Sequence, residues 1–117
     1  MDVVTRIDER GGWTILRVSG DVDLTSAPRF REQVLQVIAD GHHRLVLDLN
    51  DVDVIDSTGL GVIVGALKRV RTLEGDLRLV STGESLRALF ELTSLDRAIP
   101  LAASVNDAIA ASRLAGS

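Results

Sequence analysis

A chain of 117 residues, 45% hydrophobic and 26% charged, has the length of one compact domain, 1-117, and the make-up of an ordinary globular protein. It has no cysteine, which excludes disulfides and thiolate metal sites, and its net charge of −4 comes with scattered basic residues, so nucleic acid finds little electrostatic hold. No apolar run approaches a membrane span, and "MDVVTRIDER" lacks the basic-then-apolar layout of a secretory signal, so no membrane is expected and the sequence reads as cytoplasmic.

"DVVTRID" and "WTILRVSG" alternate apolar and polar residues around "ERGG", which predicts a hairpin turning at Gly11 and Gly12. In "DVDLTSAPRFREQVLQVIADG", Thr25 or Ser26 is placed to cap a helix that tolerates Pro28 in its first turn. Phe30, Val34, Val37 and Ile38 share one face of that helix, and Gly41 ends it. "HRLVLDLNDVDVI" predicts a buried strand through Leu45, Val46, Leu47 and Leu49, followed by a short acidic loop.

The spacing predicts a second helix from Ser57 to about Leu73, with Leu60, Ile63, Val64, Leu67 and Val70 as its apolar stripe. Lys68, Arg69 and Arg71 lie near its C-terminus, where the macrodipole favours cations. "DLRLVS" then reads as a strand and "ESLRALFEL" as a short helix. "AIPLAAS" reads as an edge strand that admits Pro100, and "VNDAIAASRL" as a last helix. With Trp13, Phe30 and Phe90 the only aromatics, the core is aliphatic; Trp13 is assigned to it. The order β-β-α-β-α-β-α-β-α predicts an α/β fold: a mixed, mostly parallel sheet with an N-terminal hairpin and about four packed helices.

Within this frame "DSTGLG", residues 56–61, stands out. Asp and Ser are leading helix caps, worth about 1 kcal/mol, and Gly59, Gly61 and Gly65 have a packing use where a helix approaches a sheet closely. Yet each glycine inside a helix costs about 1 kcal/mol relative to alanine, and two in the first turn exceed what a cap requires.

Catalytic readings find little support. The glycine spacing is wrong for a dinucleotide fingerprint, and the single lysine, Lys68, lies too deep in the helix for a phosphate-binding loop. A small hydrolase using Ser57 or Asp56 lacks a base, because His42 and His43 are adjacent and read as partly exposed. Two histidines without cysteines make a poor metal site, although carboxylates can hold a hard cation weakly. A phosphorelay receiver needs a lysine at the end of its last strand, and "AIPLAAS" has none. Ser57 as a reversible switch is what remains, and the acidic balance weakly favours a basic protein partner.

Asp56-Ser57-Thr58-Gly59-Leu60-Gly61 resembles the phosphorylation motif of STAS domains of the anti-anti-sigma type, the anti-sigma factor antagonists. Gly20-Asp21-Val22-Asp23 is similar to that family's acidic stretch before its first helix, and "LRALFELTSL" to its third helix. Ser94 departs from the family, many of whose members carry glycine there. The resemblance implies the STAS fold and a regulatory protein without catalytic activity, cofactor or metal. It implies that the unphosphorylated form binds an anti-sigma factor with an ATPase-type serine kinase fold and thereby frees a sigma factor. Phosphorylation at Ser57, rather than Thr58, weakens that complex, and a metal-dependent serine phosphatase resets it. The implied partner-facing residues are Asp21, Asp23, Asp56, Ser57, Thr58, Gly59, Leu60 and Gly61, on a chain that is monomeric when free. Another signalling or transport assembly with a STAS subunit is the alternative.

Overall fold

The computed structural model describes residues 3–110. Strands β1 (Val4–Arg10) and β2 (Trp13–Val22) form the expected hairpin. Gly11 and Gly12 take φ of +59° and +83°, the left-handed values that a two-residue turn between twisted strands demands. The chain continues through α1 (Ala27–Ala39), β3 (Arg44–Ile55), α2 (Ser57–Thr72), β4 (Asp76–Val80), α3 (Glu84–Leu92), α4 (Leu95–Ala98), β5 (Leu101–Ala102) and α5 (Val105–Ala110).

Sheet order equals chain order, with β1 and β2 antiparallel and every later pair parallel. Right-handed crossovers that always step the same way across a sheet deposit their helices on one face. The main core accordingly lies between α1, α2 and α3 and strand residues Leu16, Leu45, Leu47, Leu77 and Leu79. The intervening strand positions Trp13, Ile15, Val46 and Val80 point the other way and pack against Val105 and Ala108 of α5.

Trp13 is buried, as its assignment to the core required. The guanidiniums of Arg44 and Arg78 lie 4.6 and 4.4 Å from its ring centroid. Arg78 is only 3% exposed: it donates to the carbonyl of Ala108 and lies 3.7 Å from the Asp76 carboxylate. A buried cation thus clasps α5 to the sheet through a charge-assisted bond.

Two expectations need correction. The acidic stretch after Leu49 is strand, not loop: β3 continues to Ile55 because β2 runs beside it, pairing Ser19 with Asp51 and Val22 with Ile55. β4 pairs only as far as Asp48, so the rest of β3 projects as a ribbon whose Asp51 and Asp53 stay exposed. "AIPLAAS" yields only Leu101–Ala102 as strand, with Pro100 just before it; Leu95–Ala98 forms a short helix that the pattern did not signal, which makes five helices among the described residues beside the about four expected. The end of "VNDAIAASRL" and the start of "DVVTRID" lie outside the described residues.

Ser94 precedes α4 in the left-handed region, φ 60° and ψ 18°. That conformation costs a residue with a Cβ about 1 kcal/mol and costs glycine nothing. Ser94→Gly is therefore expected to raise stability by about 0.5–1 kcal/mol, read as a higher urea midpoint at unchanged slope. A lowered midpoint would mean that the serine side chain repays the strain.

Candidate functional site

The C-terminal ends of β2 and β3 lie side by side and feed α1 and α2. The Asp56 N–H donates to the Val22 carbonyl at 3.1 Å, which ties the two strand ends together. Asp56 is extended and caps α2: one carboxylate oxygen accepts from the Thr58 N–H at 2.9 Å and the Gly59 N–H at 3.1 Å. Its own carbonyl accepts from the Leu60 N–H at 3.0 Å. Ser57 is then the first helical residue, and it is exposed.

Thr58 and Gly61 are exposed, Leu60 is half-buried against the main core, and Gly59 is buried. A Cβ on Gly59 would lie 2.6 Å from Val22 Cγ1 and 3.0 Å from the Val22 carbonyl oxygen, so a side chain there would push α2 off the end of β2. A Cβ on Gly61 or Gly65 would meet nothing within 4 Å. The packing explanation expected for all three glycines holds for Gly59 and fails for the other two.

The turn into α1 is organised by Asp23. One oxygen of its carboxylate accepts from the Thr25 hydroxyl at 2.8 Å and from the N–H groups of Thr25 and Ser26 at 3.0 and 3.1 Å. Ser26 occupies the N-cap position, but its hydroxyl turns backward, donating to the Asp21 carbonyl at 2.6 Å and accepting from the Asp23 N–H at 3.0 Å. Ser26 thus holds the expected N-cap position without a side-chain cap bond, and Asp23 instead closes the turn before the helix through the Thr25 and Ser26 donors, with a full negative charge.

The Thr25 hydroxyl, then the Ser26 N–H, hold the Asp23 carboxyl below the 3.8 of a free aspartate. A depressed carboxylate contributes stability that is complete above its unfolded pKa and lost as pH falls through its folded one. The stability gap between the wild type and Asp23→Ala is therefore expected to narrow as urea unfolding is moved from neutral pH to below 3.8. A gap that stayed constant would show that the carboxylate charge contributes nothing.

These elements bring Asp21, Asp23, Asp56, Ser57 and Thr58 to one end of the sheet, with Asp53 and Asp51 on the β3 ribbon behind them. Two aliphatic side chains at this end escaped the sequence reading: Leu24 is 71% exposed and Val54 50%. Their only signal was position, an apolar residue inside the Asp23–Ser26 turn and one out of phase with its strand. His42 and His43 precede β3, beside the C-terminal turn of α2, where the Asp76 N–H donates to the His43 carbonyl and the Gly75 N–H to that of Val70; at ~1.5 Å per helical residue that is roughly 20–25 Å from Ser57, which leaves the serine without a histidine base. Among the described residues no three His, Cys, Asp or Glu side chains converge as metal ligands, and no helix is long and apolar enough to cross a membrane.

The family profile of the STAS domain matches residues 5–108. The anti-sigma-B factor antagonist of Bacillus subtilis (strain 168) is 39% identical over 88 residues, covering 75% of this chain and 80% of that protein. The crystal structure of an anti-sigma factor antagonist from Mycobacterium paratuberculosis superposes with a TM-score of 0.84 at 29% identity, over 92% of this chain and 91% of that one. The Bacillus cell fate determinant SpoIIAA in its phosphorylated form shares the fold, with a TM-score of 0.69 at 18% identity over 91% of this chain and 96% of that one.

Proposed function

This chain belongs to the STAS domain family, among the anti-sigma factor antagonists, and from that premise we propose that it is a partner-switching regulator whose switch is the Ser57 hydroxyl. In its unphosphorylated form it binds an anti-sigma factor of the ATPase-type serine kinase class in the cytoplasm and releases a sigma factor. Transfer of the ATP γ-phosphoryl group to Ser57 Oγ, with loss of the hydroxyl proton and release of ADP, weakens that complex. A metal-dependent serine phosphatase returns the hydroxyl by hydrolysis.

The observation that carries this reading is the exposed serine at the first position of α2, beside a strand end that brings Asp21 and Asp23 to the same surface. Leu24 and Val54 supply the apolar contact area that a protein interface wants at its centre, within a rim of carboxylates. Gly61 is open to an approaching nucleotide, whereas Gly59 is consumed by packing. Thr58 is exposed as well, so the choice of acceptor is a real one. SpoIIAA, a protein of the same fold, exists in a phosphorylated form, which fits the reading.

The test is incubation with ATP and candidate kinase-type anti-sigma factors, followed by mapping of the modified residue. Phosphate is expected on Ser57, and Ser57→Ala is expected to bind the factor but to resist modification. Phosphate on Thr58, or undiminished modification of Ser57→Ala, would overturn the assignment.

A further inference from the structure

We propose that the groove between α1 and α2 is a second docking surface, which receives an acidic amphipathic helix of the anti-sigma partner. This rests on the function proposed above and extends it along α2 beyond the helix mouth, from Gly61 to Leu73. The groove encloses about 910 Å³, with Val34 and Ile38 on one wall, Gly61 and Gly65 on the other, and Arg31 and Arg69 at its edges. No acidic residue lines it, in a chain that carries 17 Asp and Glu against 13 Lys and Arg.

Gly61 and Gly65 stand one turn apart on the same face of α2, and neither is needed by the fold, since a Cβ on either meets open space. Both are poorer helix formers than alanine, so the fold alone gives no reason for them. Missing side chains at that spacing let a third helix approach within the ~8–10 Å of close helix packing. The groove follows α2 from Thr58 to Leu73, roughly 22 Å at ~1.5 Å per residue, which is room for about four turns of a partner helix.

Charge then selects the occupant. Asp21, Asp23, Asp53 and Asp56 lie at the Ser57 end, whereas Arg31 and Arg69, both exposed, flank the groove. A partner basic toward the first and acidic toward the second can dock in one orientation only. The two surfaces are continuous, because Thr58 lines the groove and directly follows Ser57.

Gly65→Leu fills the groove with a better helix former and should fold at least as well as the wild type, which a thermal melt reads. Arg31→Glu with Arg69→Glu reverses the rim at two exposed positions and carries the test should the leucine variant fail to fold. Titration calorimetry against the anti-sigma factor that the wild type binds is expected to show about tenfold or greater weakening for each, with the salt dependence reduced in the arginine variant. Groove variants that bind like the wild type while Ser57→Asp binds poorly would overturn this inference and leave the switch intact. Weakened groove variants beside an unaffected Ser57→Asp would instead retain the groove and remove the switch. If Gly65→Leu changes the chain's own oligomeric state, the occupant is a second copy and the inference fails. A wild type that binds no such factor ends both.

Discussion

Phosphorylation of Ser57 is expected to weaken the complex with the anti-sigma factor by about 100- to 1000-fold and to move folding stability by no more than about 1 kcal/mol. A phosphoserine carries roughly −1.5 to −2 charges at neutral pH. At the first position of α2 the helix dipole tolerates such a charge, typically by about 0.3–1 kcal/mol. The gain here belongs at the low end of that range, because Asp56 already accepts from the N–H groups of Thr58 and Gly59. Repulsion from Asp56 and its neighbours opposes the gain, and at an exposed position water and salt screen most of that repulsion.

Docking removes the screening. Two like charges about 4 Å apart cost on the order of 4 kcal/mol at an effective dielectric near 20, and about 2.7–4 kcal/mol is 100- to 1000-fold in affinity. Titrating the phosphorylated chain against the factor, with urea unfolding in parallel, reads both halves. Ser57→Asp, with one charge and a shorter reach, is expected to fold normally and to lose roughly tenfold or more. An unfolded Ser57→Asp, or a phosphorylated chain that bound undiminished, would remove the interface account.

How far the sequence revealed this arrangement depended on whether a feature was local. The hairpin, the alternation of strands with helices and the span of α2 rest on periods of two and 3.6 residues within one segment, and they were legible. The β3 ribbon was not. Asp51 and Asp53 read as loop because acidity signals solvent, yet a strand that outruns its neighbour β4 is solvated without ceasing to be a strand. Helix α4 is four residues long and rests on burial of Leu95 and Ile99, a tertiary condition with no periodic trace. At the α1 entry the sequence placed the N-cap at Thr25 or Ser26 but not the direction of the Ser26 hydroxyl, which the Asp21 carbonyl and the Asp23 N–H draw away from the helix. The serine proposed as the switch was legible from its motif. Its neighbours Leu24 and Val54 were not, because exposure of an aliphatic side chain is decided by what fails to cover it.

The glycines of the motif separate fold from function, and the second large effect follows from them. Gly59→Ala is expected to destabilise the domain by about 2–3 kcal/mol, the upper part of the range for overpacking, whereas Gly61→Ala should stabilise it by up to about 1 kcal/mol. The difference lies in what a methyl group meets. At Gly59 it would stand 2.6 Å from Val22 Cγ1 and 3.0 Å from the Val22 carbonyl oxygen, the same carbonyl that accepts the Asp56 N–H. Relief by moving α2 outward would stretch that hydrogen bond, the one that ties the strand end to the cap that positions Ser57. Shortening the opposing side chain tests the mechanism: Val22→Ala combined with Gly59→Ala should cost less than the sum of the two single changes, by about 1 kcal/mol, when urea unfolding is run around the cycle. Strictly additive costs would place the damage at the backbone carbonyl rather than the valine methyl. A neutral Gly59→Ala would mean that α2 is free to shift, and then nothing in the packing would hold the serine at the helix mouth.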